Sequence, residues 1–178
     1  KVLPGGSDPE AFDISADGKL LYVSNEDAGT ASIVETGSGT VRSTVKTGRE
    51  PEGVTVSPDG KTVWITGETD HDLTILDAET GMKATSIVVG TRPRGVGFLP
   101  NSTRAYSTNE AEGSVSVIDV ASRKVVKSIK LPGEAKPREH SLIGSTGVQE
   151  RNAAPTSVPP EMLMIGTRPR PTVSASQR

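Results

Sequence analysis

Two glutamates 42 residues apart, Glu10 and Glu52, are the first side chains whose type and spacing suggest chemistry; each follows a proline, Pro9 and Pro51. Carboxylates converging from equivalent positions are what a hard cation such as Ca2+ takes as ligands. The next step of the same spacing lands on Arg94, and Arg138 follows a later proline, Pro137, so ion pairing between copies is the competing reading. His71 lies between Asp70 and Asp72, an arrangement open to metal ligation or general-base work. Gly29 and Gly113 stand at its equivalent positions, which favours a solvated loop histidine. Ser141 follows His140 but has no Gly-x-Ser-x-Gly around it. Cysteine is absent, and with it disulfides, thiolate metal sites and haem attachment through Cys-x-x-Cys-His. No catalytic residue is assigned.

What must position these side chains is a repeat. The stretch from Gly48 to Gly90 reads as four short strands: Gly53 to Ser57, Thr62 to Thr66, Leu73 to Asp77 and Ala84 to Val89. Ser57-Pro-Asp-Gly60 and Ala78-Glu-Thr-Gly81 supply tight turns between them, with Gly60 placed for a positive φ. Steps of 42 residues connect Tyr22, Trp64 and Tyr106, then Ile33, Ile75 and Val117, then Glu35, Asp77 and Asp119. Four strands per copy at this period predict an all-β chain of β-propeller blades, since one such meander must stack on neighbours to bury its faces. Three blades are expected at about 4–48, 49–90 and 91–133. The third has Pro100-Asn-Ser102 where the others turn on glycine.

In a blade of this kind the connection into the first strand and the connection between the second and third lie at one end, around the central channel. The first set offers Asp8, Glu10, Arg49, Glu52, Arg92 and Arg94. The second offers Asn25, Glu26, Asp27, Glu68, Asp70, His71, Asp72, Asn109, Glu110 and Glu112. Of these, Glu10, Asn25, Arg49, Glu52, His71, Arg92, Arg94 and Asn109 are the candidate ligand-binding residues, with Glu10 and Glu52 as the candidate Ca2+ ligands.

Leu21-Tyr-Val-Ser-Asn25, Val56-Ser-Pro-Asp-Gly60 and Val115-Ser-Val-Ile-Asp119 resemble the YVTN-family propeller repeats of bacterial and archaeal surface and periplasmic proteins, over residues 4–137. The resemblance implies a periplasmic or extracellular surface location. It is shared by surface-layer proteins, lactonase-like propellers and haem d1-like propellers, so it leaves function open. A repeat scaffold with a polar rim and no reactive constellation points to a non-catalytic ligand-binding or protein-interaction propeller. The alternative is a lactonase- or esterase-like hydrolase in which rim carboxylates, with Ca2+ and His71, activate water.

A net charge of −2 among 178 residues, with no basic run, gives no pull toward nucleic acid, and no apolar run is long enough to span a bilayer. The chain begins at Lys1 without a signal region, as a processed or partial chain would. Residues 138–178, rich in Pro, Ser, Thr and Arg, are expected to be irregular apart from a strand near 158–165. Three blades do not close a ring of the usual four to eight. A homodimer closing six or seven blades is therefore expected.

Overall fold

A computed structural model describes residues 6–133. The expectations for the segment from Arg138 onward fall outside them. The described residues form twelve strands and no helix, in three four-stranded antiparallel sheets. Blade 1 is β1 (Pro9–Ile14), β2 (Leu20–Asn25), β3 (Thr30–Glu35) and β4 (Val41–Lys46). Blade 2 is β5 (Pro51–Val56), β6 (Thr62–Gly67), β7 (Asp72–Asp77) and β8 (Lys83–Val88). Blade 3 is β9 (Pro93–Phe98), β10 (Arg104–Asn109), β11 (Ser114–Asp119) and β12 (Lys124–Lys130). Each strand pairs with the next in sequence, so every blade is a meander.

Turn chemistry repeats with the strands. Gly18 and Gly60 turn the first hairpin of their blades at φ 72° and 71°, and Ser102 is forced to 56° at the same place in blade 3. Asp17, Asp59 and Asn101 each accept the amide of the residue two further on, which fixes these turns.

The apolar content lies between blades. Tyr22, Ala31 and Ile33 of blade 1 meet Val54, Val63, Ile65 and Leu76 of blade 2. Trp64, Leu73 and Ile75 on the other side of blade 2 meet Ala105 and Ile118, with Val96 and Phe98 packed against them. Trp64 and Phe98 pack edge to face at 5.0 Å, and the Tyr22 hydroxyl donates to the Ala78 carbonyl at 2.7 Å. Fully burying side chains of this size contributes about 1.5–3 kcal/mol each, so the seams hold the blades in register. Tyr106, at the equivalent position in blade 3, is only half-buried. No helix among the described residues is long and apolar enough to cross a membrane.

Candidate functional site

A bulge at the start of each blade aims the candidate residues. In blade 1 Pro9 pairs with Asn25 but Phe12 with Val23, so Glu10 and Ala11 share one partner, Ser24; blade 2 does the same between Pro51 and Val54. An unpaired extra residue re-aims a side chain, and here it turns positions 10, 52 and 94 to the blade end. The amide freed by the bulge is satisfied by a hydroxyl: Ala11 donates to Ser24, Gly53 to Thr66 and Gly95 to Thr108. Ser24 in turn donates to the Glu52 carbonyl of blade 2 at 2.5 Å, and Thr66 to the Arg94 carbonyl of blade 3 at 3.4 Å. One hydroxyl thus serves its own bulge and ties the next blade. The residues just ahead, Asp8, Glu50 and Arg92, all hold φ between 50° and 57°.

Between blades 2 and 3 the mouth is an ion-pair network. Arg94 bonds the carboxylates of Glu52 and Glu68 and stands 3.6 Å from Glu110, while Arg92 bonds Glu68. Glu52 and Glu68 are nearly buried, at 12% and 8% side-chain exposure, so their charge must be met inside the protein. Burial, then the hydrogen bond with Glu68, pushes the Glu52 carboxyl up to about 7 against the pull of Arg94. Burial acts to raise Glu68 as well, but the hydrogen bonds from Glu52 and Arg92 and the charge of Arg94 override it and hold Glu68 low. The same cluster therefore pushes its two carboxyls apart, Glu52 up and Glu68 down.

Blade 1 carries the same positions without the cations. Asp8, Glu10 and Glu26 place carboxylate oxygens within 4.8 Å of one another. Burial raises the Glu26 carboxyl, with further push from Glu10, Asp8 and Glu50. The trio offers oxygen donors of the type Ca2+ takes, but fewer than the six to eight it fills. Glu10 belongs to this trio, whereas Glu52, the other candidate Ca2+ ligand, is held by Arg94.

The remaining candidates fall into two groups. Asn25 and Asn109 are fully buried. Asn25 accepts the Gly6 amide and donates to Ser32, and Asn109 donates to Ser114 and Ser116, so both brace their own blades. Blade 2 has Gly67 in that place, and the Asp72 carboxylate occupies the space, 2.8 Å from where a Cβ on Gly67 would lie. Burial raises the Asp72 carboxyl. Arg49 is exposed and pairs with Asp70 at 2.7 Å, and Asp70 also accepts the Arg49 amide. Glu112 accepts the Thr91 amide in blade 3 in the same manner.

His71 takes a positive φ of 57° where Gly29 and Gly113 have 61° and 57°. Its Nδ1 is 2.9 Å from the Glu68 carbonyl and 3.3 Å from the Arg92 amide, so this nitrogen is turned to the backbone. An open cleft of about 640 Å3, whose lining does not include His71, lies between blades 1 and 2 and is lined by Glu26, Asp27, Glu50 and Thr69 and by Lys46, Arg49 and Lys83. Sequence reasoning placed Glu68 on the rim without singling it out. Glutamate at 26, 68 and 110 in all three copies was the available signal, and burial of the middle one was not visible in it.

No protein-family model matches the chain, and no curated protein matches it in sequence. Solved structures do. Hydrazine synthase of Kuenenia stuttgartiensis superposes with a TM-score of 0.66 at 25% identity over 74% of this chain. The WD40 repeats of RRP9 give 0.67 at 18% over 73%, and a Bacteroides fragilis protein assigned as a 6-phosphogluconolactonase gives 0.62 at 24% over 74%. The chain spans 37–41% of the length of these structures. At such identities the likeness is one of fold: residues 6–133 are three β-propeller blades in series.

Proposed function

We propose that the chain is a non-catalytic binding scaffold of the YVTN propeller type, exported to the periplasm or cell surface, that takes its ligand or protein partner at the blade end carrying Glu10, Arg49 and the cleft between blades 1 and 2. The observation that carries this reading is how the reactive-looking groups are used. Arg92, Arg94, Glu52 and Glu68 satisfy one another, and the partners of the His71 Nδ1 are backbone groups, so these carboxylates and this histidine form no acid-base pair. The cleft offers both charge signs on an open surface, which suits recognition of a polar ligand or loop.

A hydrolase using Ca2+ is the second reading, and the Asp8, Glu10 and Glu26 trio favours it. A panel of chromogenic esters and lactones, run with Ca2+ and with chelator, separates the two. The scaffold predicts no turnover in either condition. Chelator-sensitive turnover that is lost in both Glu10→Gln and His71→Ala would establish the enzyme. On the binding side, a charged small molecule that raises the melting temperature of the wild type but not of Lys83→Ala locates the ligand in the cleft.

A further inference from the structure

The two junctions between blades share one backbone plan, and only one of them is filled by its own side chains. A step of 42 residues carries Ala28 and Gly29 of blade 1 onto Asp70 and His71 of blade 2. Between blades 2 and 3 the His71 ring lies over the connector, its Nδ1 at the Glu68 carbonyl and the Arg92 amide. Between blades 1 and 2 Gly29 has no side chain to do the same. The Glu50 amide, counterpart of the Arg92 amide, has no hydrogen-bond acceptor among the described residues. The cleft there measures about 640 Å3, whereas the corresponding hollow between blades 2 and 3, lined by Val88, Gly90 and Val125, measures about 230 Å3.

The same step carries Lys46 and Lys83 of the larger cleft onto Val88 and Val125 of the smaller one. The repeat therefore does not need a lysine at either place. Both lysines are exposed and neither makes an ion pair, while the third cation of the cleft, Arg49, is held by Asp70. Glu26, Asp27 and Glu50 line the cleft too, and Glu26 stands within 4.8 Å of Asp8 and Glu10, so that side carries excess negative charge. Opposite charges that share a cleft without pairing lie apart across it. An anion answers one sign and is repelled by the other, and a cation does the reverse.

On the reading of the chain as a binding scaffold, on which this rests, we propose that the cleft between blades 1 and 2 binds a small zwitterion with its amine and carboxylate several bonds apart. The carboxylate meets Lys46 and Lys83, and the amine meets Glu26, Asp27 and Glu50. The space that Gly29 leaves open admits a polar group of the ligand to the Glu50 amide, as His71 reaches that of Arg92. The volume is that of ordinary small-molecule sites. Exposed charge pairs each add little, so the signature is selectivity among charge patterns rather than high affinity.

Three probes of equal chain length and different ends test this on the full chain: ε-aminocaproate, adipate and hexamethylenediamine, titrated while the Gly29 and Gly48 amide resonances are followed by NMR. The zwitterion, ε-aminocaproate, should bind about tenfold more tightly than either of the others. Lys46→Val combined with Lys83→Val, which installs the residues of the next copy, should keep the melting temperature and weaken ε-aminocaproate about tenfold without weakening hexamethylenediamine. Glu50→Gln should weaken ε-aminocaproate and not adipate. Adipate or hexamethylenediamine binding as tightly as ε-aminocaproate, ε-aminocaproate binding retained in either variant, or no shift with any probe overturns the inference. Adipate binding that matches ε-aminocaproate and is lost in the double variant overturns the zwitterion while the binding cleft stands. The scaffold reading itself falls to chelator-sensitive ester turnover.

Discussion

The mouths of blades 1 and 2 are built on one plan and carry opposite electrostatics. Asp8, Glu10 and Glu26 of blade 1 become Glu50, Glu52 and Glu68 in blade 2, an acidic trio in both. What differs is the following blade. Blade 3 brings Arg92 and Arg94 onto the trio of blade 2, whereas blade 2 brings Glu50 and Glu52 toward that of blade 1. The same backbone therefore yields a closed ion-pair network at one junction and, among the described residues, carboxylates without a cation partner at the other. A residue's role in a propeller is set as much by its copy in the next blade as by its own identity.

The largest way to break this contrast is Arg94→Met, which strips the shared partner from two nearly buried carboxylates. A loss of roughly 2–3 kcal/mol is expected in urea unfolding, less than for a wholly buried pair because the arginine is half exposed. The matching change at the other junction, Glu10→Gln, removes only repulsion within its own chain. It should leave stability unchanged or raise it by a few tenths of a kcal/mol.

A subtler contrast comes from pH. Burial and the hydrogen bond with Glu68 push the Glu52 carboxyl up to about 7, above the ordinary carboxylate range, so its contribution is full below that range and is lost as pH rises through about 7. Glu68 is lowered, so its contribution is present above the ordinary range and lost on acidification. Wild type should therefore melt a few degrees lower at about pH 8 than at about pH 5.5, and Glu52→Gln should flatten that slope. A slope that survives Glu52→Gln would assign it to other groups.

The smallest effect distinguishes the turns. His71 spends strain at a positive φ that Gly29 and Gly113 adopt freely. His71→Gly should gain about 0.5–1 kcal/mol and Gly113→His should lose a similar amount, read as shifts in urea midpoint.

Much of the fold was legible because it is written as a period. The turn at Gly60, the strands and the packing of Tyr22 and Trp64 follow from alternation and glycine placement alone. The site was legible only as a set of rim positions. Asn25 and Asn109 read as rim ligands because they end β2 and β10, but the hydroxyls of Ser32, Ser114 and Ser116 on the adjacent strands draw them inward. Glu10 and Glu52 read as a pair because they share a register position. The structure parts them, since which glutamate meets an arginine depends on the blade that follows.

The central claim, that the mouth between blades 2 and 3 is satisfied internally while that of blade 1 is not, is tested most directly by a carbon-13 NMR titration of the glutamate side-chain carboxyls. Glu52 should titrate at about 7, Glu68 below the ordinary range and Glu26 above it. If Glu52 and Glu68 titrate together in the ordinary carboxylate range, the closed network does not hold them apart and the account is wrong.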